Sequence, residues 1–332
     1  MYRKISTEGK KGRGNFWKAG LGIVLWACAL LAGTGASLEA APFPDHQVQW
    51  IIPFGPGSGA DLCARAIQPY GEKNLGVPLI IANVPGADSR LGMTRLFKAK
   101  PDGYTLGIHG YPSPIIHEYL FDIPYKSLDF TLIYAWTMNP QMIYVAEESS
   151  IKSFDDLIAE ARKRPVTMGL PGIGTVTHLL ALALEKQLKV KFKFVTFPGS
   201  AQGFATLAGN HIDANVGSDA AALGLVRAKR VRPVLSWSFR PNANHPDVPV
   251  SAKINIPTIV MTRGVLGPPN MPAERVRVLE KAFAKAAAEP KLAEWAKDTG
   301  TDLVSLNAKQ FRQEVEKQQS LVREYKDVLK VQ

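Results

Sequence analysis

Cysteine is scarce in this sequence. Only Cys28 and Cys63 occur in 332 residues, which is too few for a disulfide-stapled fold. Histidine is scarce too: there are six, scattered without ligand spacing, and His117-Glu118 leads to Phe121 rather than to a second histidine. HExxH is therefore absent, and no metal and no cofactor are expected. Long apolar runs are nearly missing. The apolar run "LGIVLWACALLAG" (Leu21 to Gly33) has 13 residues, too short for a helix crossing a bilayer core of roughly 30 Å. The basic runs "ARKRP" (161–165) and "VRAKRVR" (226–232) lack interleaved aromatics. They read as helix C-terminal ends, where cations complement the dipole, and not as a nucleic-acid surface.

What is present is a globular composition, 46% hydrophobic and 21% charged, enough to bury one large core or two medium ones. The first forty residues differ from the rest. A basic start (Arg3, Lys4, Lys10, Lys11, Arg13, Lys18) precedes the apolar run, and "TGASLEAAP" follows with small residues. This is the layout of a secretory signal peptide, with cleavage expected near Ala40, or alternatively Ala36. An exported, periplasmic protein is implied. Cys28 reads as ordinary leader content, because Trp26 is bulky for a lipobox, and loss of the leader leaves Cys63 alone. The leader holds six basic residues and two acidic ones (Glu8, Glu39), so about +7 of the net +11 belongs to the mature chain. That balance suits an anionic partner.

Beyond the leader, short apolar strands alternate with helical stretches. "VQWIIPF" (48–54), "VPLIIANV" (77–84) and "YTLGIHG" read as strands, separated by helices ending at Gly76 and before Pro101. From 141 the grammar repeats: "QMIYVAE", a helix with Ser153 as N-cap, "VTMGLPG", "TVTHLLALALEKQL", "KFKFVTF", "SAQGFATLAGN", "IDANVGS" and "VRPVLSWS". Residues 239–270 read as irregular, Pro272 opens a helix, and a last helix spans about 307–330. The alternation predicts an α/β fold with right-handed crossovers and a parallel sheet. We expect two lobes, the second inserted in the first: lobe 1 from 41–141 and 237–332, lobe 2 from 142–236. Two crossing strands, near Gln141–Ala146 and Arg232–Ser238, would join them, with the ligand in the cleft between.

The stretch "VQWIIPFGPGSGADLCARAI" (48–67) places Gly55, Gly57 and Gly59 around Ser58. A phosphate-binding P-loop needs a lysine after the last glycine, and Ala60 and Asp61 stand there. A dinucleotide fingerprint needs a third glycine where Leu62 falls. A nucleophile elbow needs glycines two residues either side of Ser58, where Pro56 and Ala60 stand. What remains is a strand ending in a turn that starts a helix, whose first N–H groups can hold a carboxylate or phosphate. A plain strand-to-helix turn is the alternative. Asp61 reads as structural, since its charge would repel an anion. A second turn, "GLPGIGTVTHLLAL" (169–182), repeats the design: Gly172 and Gly174 precede Thr175, with His178 one turn on. Two such helix ends facing one cleft would clamp a small anion.

These segments, in order, resemble the periplasmic solute receptors of tripartite tricarboxylate transporters, also called Bug receptors. The likeness is carried by "IIPFGPGSGADLCAR", "IANVPGADSRLG", "AKPDGYTLGI", "GLPGIGTVTHL", "FPGSAQGFATLAGNHID", "HPDVP" and "PPNMPAERV". The resemblance implies a two-lobed flytrap fold of the type II periplasmic-binding-protein class. It also implies no catalysis, a small dicarboxylate or aromatic acid as ligand, and a membrane permease pair as partner; a monomer is expected. Carried over by position, the ligand-binding residues are Phe54, Gly57, Ser58, Gly59 and Ala60 in the first turn and Gly174, Thr175 and His178 in the second. Ser113, Phe197 and Asp219 would line the walls. Ser58 and Ala60 depart from the family pattern, as does "ADSR" (Ala87–Arg90), which adds Asp88 and Arg90; Arg90 would either grip a second carboxylate or lie solvated. Two other classes stay open: an extracytoplasmic sensor for a signalling protein, and an exported hydrolase using Ser58 with His178 as its base.

Overall fold

The computed structural model describes residues 43–329; the expected leader, Cys28 and the expected cleavage position lie outside them. Two separate β-sheets carry the fold. The first opens with β1 (Val48–Ile52), whose VQWII run is buried along almost its whole length, as a strand covered on both faces should be. Helix α1 (Gly59–Leu75) leads to β2 (Leu79–Asn83), and α2 (Arg90–Phe97) leads to β3 (Thr105–Tyr111). Helix α3 (Ser113–Leu120) precedes β4 (Thr131–Asn139). β1 is parallel to both β2 and β3.

One residue, Pro140, separates β4 from β5 (Gln141–Ala146), the first strand of the second sheet. There α4 (Phe154–Lys163), β6 (Val166–Leu170), α5 (Val176–Leu188), β7 (Phe192–Thr196), α6 (Ser200–Ala208) and β8 (Ala214–Gly217) repeat the strand–helix alternation of the first half. Helix α7 (Asp219–Arg227) and β9 (Val231–Trp237) complete it. The chain returns to the first sheet as β10 (Met261–Gly267). It then adds α8 (Ala273–Ala287), α9 (Pro290–Asp298), β11 (Asp302–Asn307), α10 (Ala308–Glu324) and a short α11 (Lys326–Leu329).

The expectation of parallel sheets is corrected. The strand orders are β11-β4-β10-β3-β1-β2 and β7-β6-β8-β5-β9, and each sheet joins a parallel triplet to antiparallel strands. β10 runs antiparallel to β3 and β4, and β5 to β8 and β9. The cause is topological: the strands where the chain enters or leaves a sheet are not fed by a helical crossover, so they lie free to run the other way. The stretch 239–270 is likewise not wholly irregular, for β10 lies within it. In both sheets the parallel triplet is ordered second-first-third, so the carboxyl ends of β1 and β6 each open into a turn and a helix.

Local signals explain the elements well. Ser58 has extended backbone, and its Oγ accepts the Asp61 N–H at 3.3 Å; Gly76 closes α1 in the left-handed region with its N–H on Glu72 O at 2.8 Å. Ser153 and Asp156 form a reciprocal capping box at α4. Trp50 of β1 packs tilted against Trp136 of β4 and edge-on against Phe283 of α8. Because the Ser153 cap is exposed and distant in sequence from the glycine turns, Ser153→Ala should cost about 1 kcal/mol of stability, read as a lower urea midpoint with an unchanged slope.

Candidate functional site

Both glycine turns line one cavity of about 450 Å³, counting its opening to solvent. Ser58, Gly59 and Ala60 enter from the first turn, and Pro171, Thr175, Val176 and Thr177 from the second. Phe54, His109, Ser113 and Gln141 add to the wall, as do Ser200 and Ser218 at the starts of α6 and α7. Met261 and Arg263 of β10 close it. Of the residues expected at the site, Phe54, Ser58, Gly59, Ala60, Ser113 and Thr175 lie on this wall.

The others lie elsewhere. Gly57 and Gly174 shape the turns with positive φ, 74° and 76°, a conformation glycine adopts at no steric cost. Phe197 lines an adjoining hollow with Asp88, which shares Phe54 and Pro171 with the main cavity. Asp219 is buried in a separate network: its carboxylate accepts from Tyr144 Oη (3.0 Å) and Asn244 Nδ2 (3.1 Å) and faces His245 Nε2 at 2.8 Å. Arg90 stacks its guanidinium on Phe121, 3.3 Å from the ring centroid, and is not on the cavity wall.

The first turn is fastened from behind. Asp61, 2% exposed, accepts from the Gly57 N–H, Arg65 Nε and Asn83 Nδ2 at 2.9 to 3.0 Å. Burial alone would push its carboxyl up; the hydrogen bonds from Arg65, Gly57 and Asn83 outweigh that and lower it. Asp61 is thus structural, and with its N–H on Ser58 Oγ it leaves the Gly59 and Ala60 N–H groups as the open donors of the α1 end.

The second turn is more self-contained. Thr175 Oγ1 donates to Gly172 O (2.8 Å), accepts the His178 N–H (3.3 Å) and therefore accepts from Thr177 Oγ1 (2.7 Å). The Val176 N–H reaches across to Ser113 Oγ of the other lobe at 2.9 Å. Among the first three residues of α5, only the Thr177 N–H stays open. A second direct bridge between lobes runs from the Gly55 N–H to Pro198 O at 3.1 Å.

His178 is fully buried. Its Nδ1 accepts the Gly174 N–H at 3.2 Å and its ring meets Phe194 edge-on. Burial lowers it to about 4, far from the value near neutrality that a general base for Ser58 needs. His109 is also lowered to about 4, by burial. Neutral His109 donates from Nδ1 to Gly110 O and so accepts at Nε2 from Ser89 Oγ (2.9 Å). His109 thus brings no charge to the cavity.

Sequence reasoning missed Arg263. It is 4% exposed, on a central strand. Its Nη1 donates to Asn139 Oδ1 (2.9 Å) and touches Cys63 Sγ (3.0 Å), and Nη2 lies 3.7 Å from Met261 Sδ. The signal was a lone cation inside the apolar run "IVMTRGVLG", residues 259–267, where a buried strand charge is anomalous.

The family model described as "Tripartite tricarboxylate transporter family receptor" covers residues 63–327. The chain belongs to this receptor family. It is similar to Protein BugT of Bordetella pertussis, 27% identical over 234 residues, covering 69% of this chain and 72% of BugT. In fold it matches MatC of Rhodopseudomonas palustris with bound malate, at a TM-score of 0.79 and 24% identity, over 87% of this chain and all of that one. It also matches an R. palustris protein with adipate, at a TM-score of 0.80 and 23% identity, over 86% of this chain and 98% of that one. The receptor shares their fold of mixed α/β lobes.

The buried imidazoles give this receptor a pH signature. His109, His117 and His178 are all held below 6.5 by burial, so the unfolded chain takes up protons that the folded one refuses. Stability is complete above pH 6.5 and is lost progressively as pH falls through the window from 6.5 to about 4. Urea midpoints measured across that window should decline, and His178→Asn, which retains an acceptor for Gly174, should make the decline shallower.

Proposed function

We propose that this receptor works outside the cytoplasm, where it captures a small carboxylate in the cleft and presents it to the membrane permease subunits of a tripartite transporter. The observation that carries the reading is the convergence of two strand-to-helix turns on one cavity whose described lining has no acidic residue. Open N–H groups at Gly59, Ala60 and Thr177 suit an anion's oxygens, and nothing on the wall would pair with an ammonium group. Malate and adipate, the acids bound by two fold relatives, set the size range to try first.

In this reading segments 41–141 with 237–332 and segment 142–236 rotate about Pro140 and the chain after Trp237. Opening breaks the Val176–Ser113 and Gly55–Pro198 bridges, and closing on a ligand remakes them with water expelled, which strengthens each remaining hydrogen bond. The receptor acts as a monomer, and delivery depends on the permease recognising the closed form.

Thermal shift and calorimetry with a panel of mono-, di- and tricarboxylates and aromatic acids test this. At least one acid should raise the melting temperature, by several degrees at a hundred times its Kd, where ligand linkage supplies about 2.7 kcal/mol. Amines of matched size should do nothing. Flat responses across the whole acid panel would remove the reading.

A further inference from the structure

Arg263 is the one charged residue on the described wall of the cavity, and it has no carboxylate within ion-pair reach among the described residues. Its visible partners are an amide oxygen and two sulfurs. Its Nε is buried without a partner, and so is Ser218 Oγ on the opposite lobe. A guanidinium taken out of water without a counter-ion is costly, and proteins ordinarily pair it.

Its placement is specific. β10 runs antiparallel to β3, so its first residues lie beside the carboxyl end of β3, where the cleft opens. The register with β4 shifts between Arg263 and Gly264, with Trp136 passed over. Such a bulge re-aims a side chain. A Cβ on Gly59 would stand 2.8 Å from Ser218 Oγ and 3.6 Å from Arg263 Nη2. The α1 N-terminus, Arg263 and Ser218 therefore meet at one spot.

We infer that Arg263, Ser218 and the open Gly59 and Ala60 N–H groups form a socket for one carboxylate of the ligand, with Arg263 as its fixed counter-ion. The assignment rests on the reading of the cleft as an acid-binding site and deepens it by giving the ligand a direction. The charged end sits against α1, where a full charge adds to the helix dipole. The rest of the ligand extends toward the Thr175 turn, which offers one open N–H and otherwise neutral groups. A ligand whose two ends are both strongly charged is held unequally, and one lacking a carboxylate loses its main anchor. Planar guanidinium suits this task better than lysine because it meets both carboxylate oxygens at once.

The test uses the mature chain, Arg263→Met and Arg263→Lys. Sodium formate, exchanged for chloride at constant ionic strength, probes the socket alone. It should raise the wild-type melting temperature and leave that of R263M unmoved. Malate and adipate probe the whole cleft by calorimetry. Whichever binds should lose roughly 100-fold in affinity in R263M and about tenfold in R263K, the range expected for removing or degrading one buried charge-assisted contact. Ligand-free R263M should melt no lower than wild type, since it loses an uncompensated charge. Equal formate shifts in wild type and R263M, or no shift in either, overturn the socket. So does an R263M that melts lower yet binds the acid unchanged, which assigns Arg263 to the scaffold. A formate shift that depends on Arg263 while no larger acid binds supports the socket and overturns the receptor reading for the acids tried.

Discussion

The passage from β4 to β5 through the single residue Pro140 constrains everything else in this receptor. It runs one strand of the first sheet almost directly into a strand of the second. Each sheet presents a parallel triplet in the same second-first-third order, so each has a strand whose carboxyl end feeds a turn and a helix start. A ligand site at the carboxyl ends of strands follows from the general logic of open α/β sheets. Doubling the unit and joining the copies at Pro140 brings two such turns to one cavity.

The two halves are not electrostatic equals. The α5 turn spends most of its donors on itself and on Ser113, and its histidine is a neutral buried brace for Gly174. The α1 turn spends Asp61 on its own outer side, which ties Gly57, Asn83 and Arg65 into a rigid backing. That arrangement keeps a carboxylate charge behind the turn and leaves the inner side facing Arg263. A helix end contributes about half a charge; the Arg263 guanidinium contributes a whole one. The second effect dominates, and it gives the cleft a polarity that the near-symmetry of the fold does not.

Much of the architecture was legible in residues alone. The N-cap at Ser153, the stop at Gly76 and the run of alternating strands were readable because each depends on neighbours within a few positions. β4, β10 and β11 were not read. Their pairing partners are distant in sequence, and in β10 the anomalous Arg263 and Gly264 break the apolar pattern that marks a strand. For the same reason strand direction was misjudged: helical alternation implies parallel pairing only where the helix links the two strands concerned.

At the site, the sequence by itself determined the two glycine turns, their helix starts and the absence of metal-ligand spacing, because backbone conformation near glycine and capping chemistry are local. Only the tertiary structure decided which groups share a cavity. It set Phe197 and Asp219 apart from the main wall, turned Arg90 onto Phe121, made His178 a brace, and carried Arg263 from a distant strand to the mouth of α1. Those outcomes depend on strand register and a bulge in a central sheet, and no short stretch of residues encodes either.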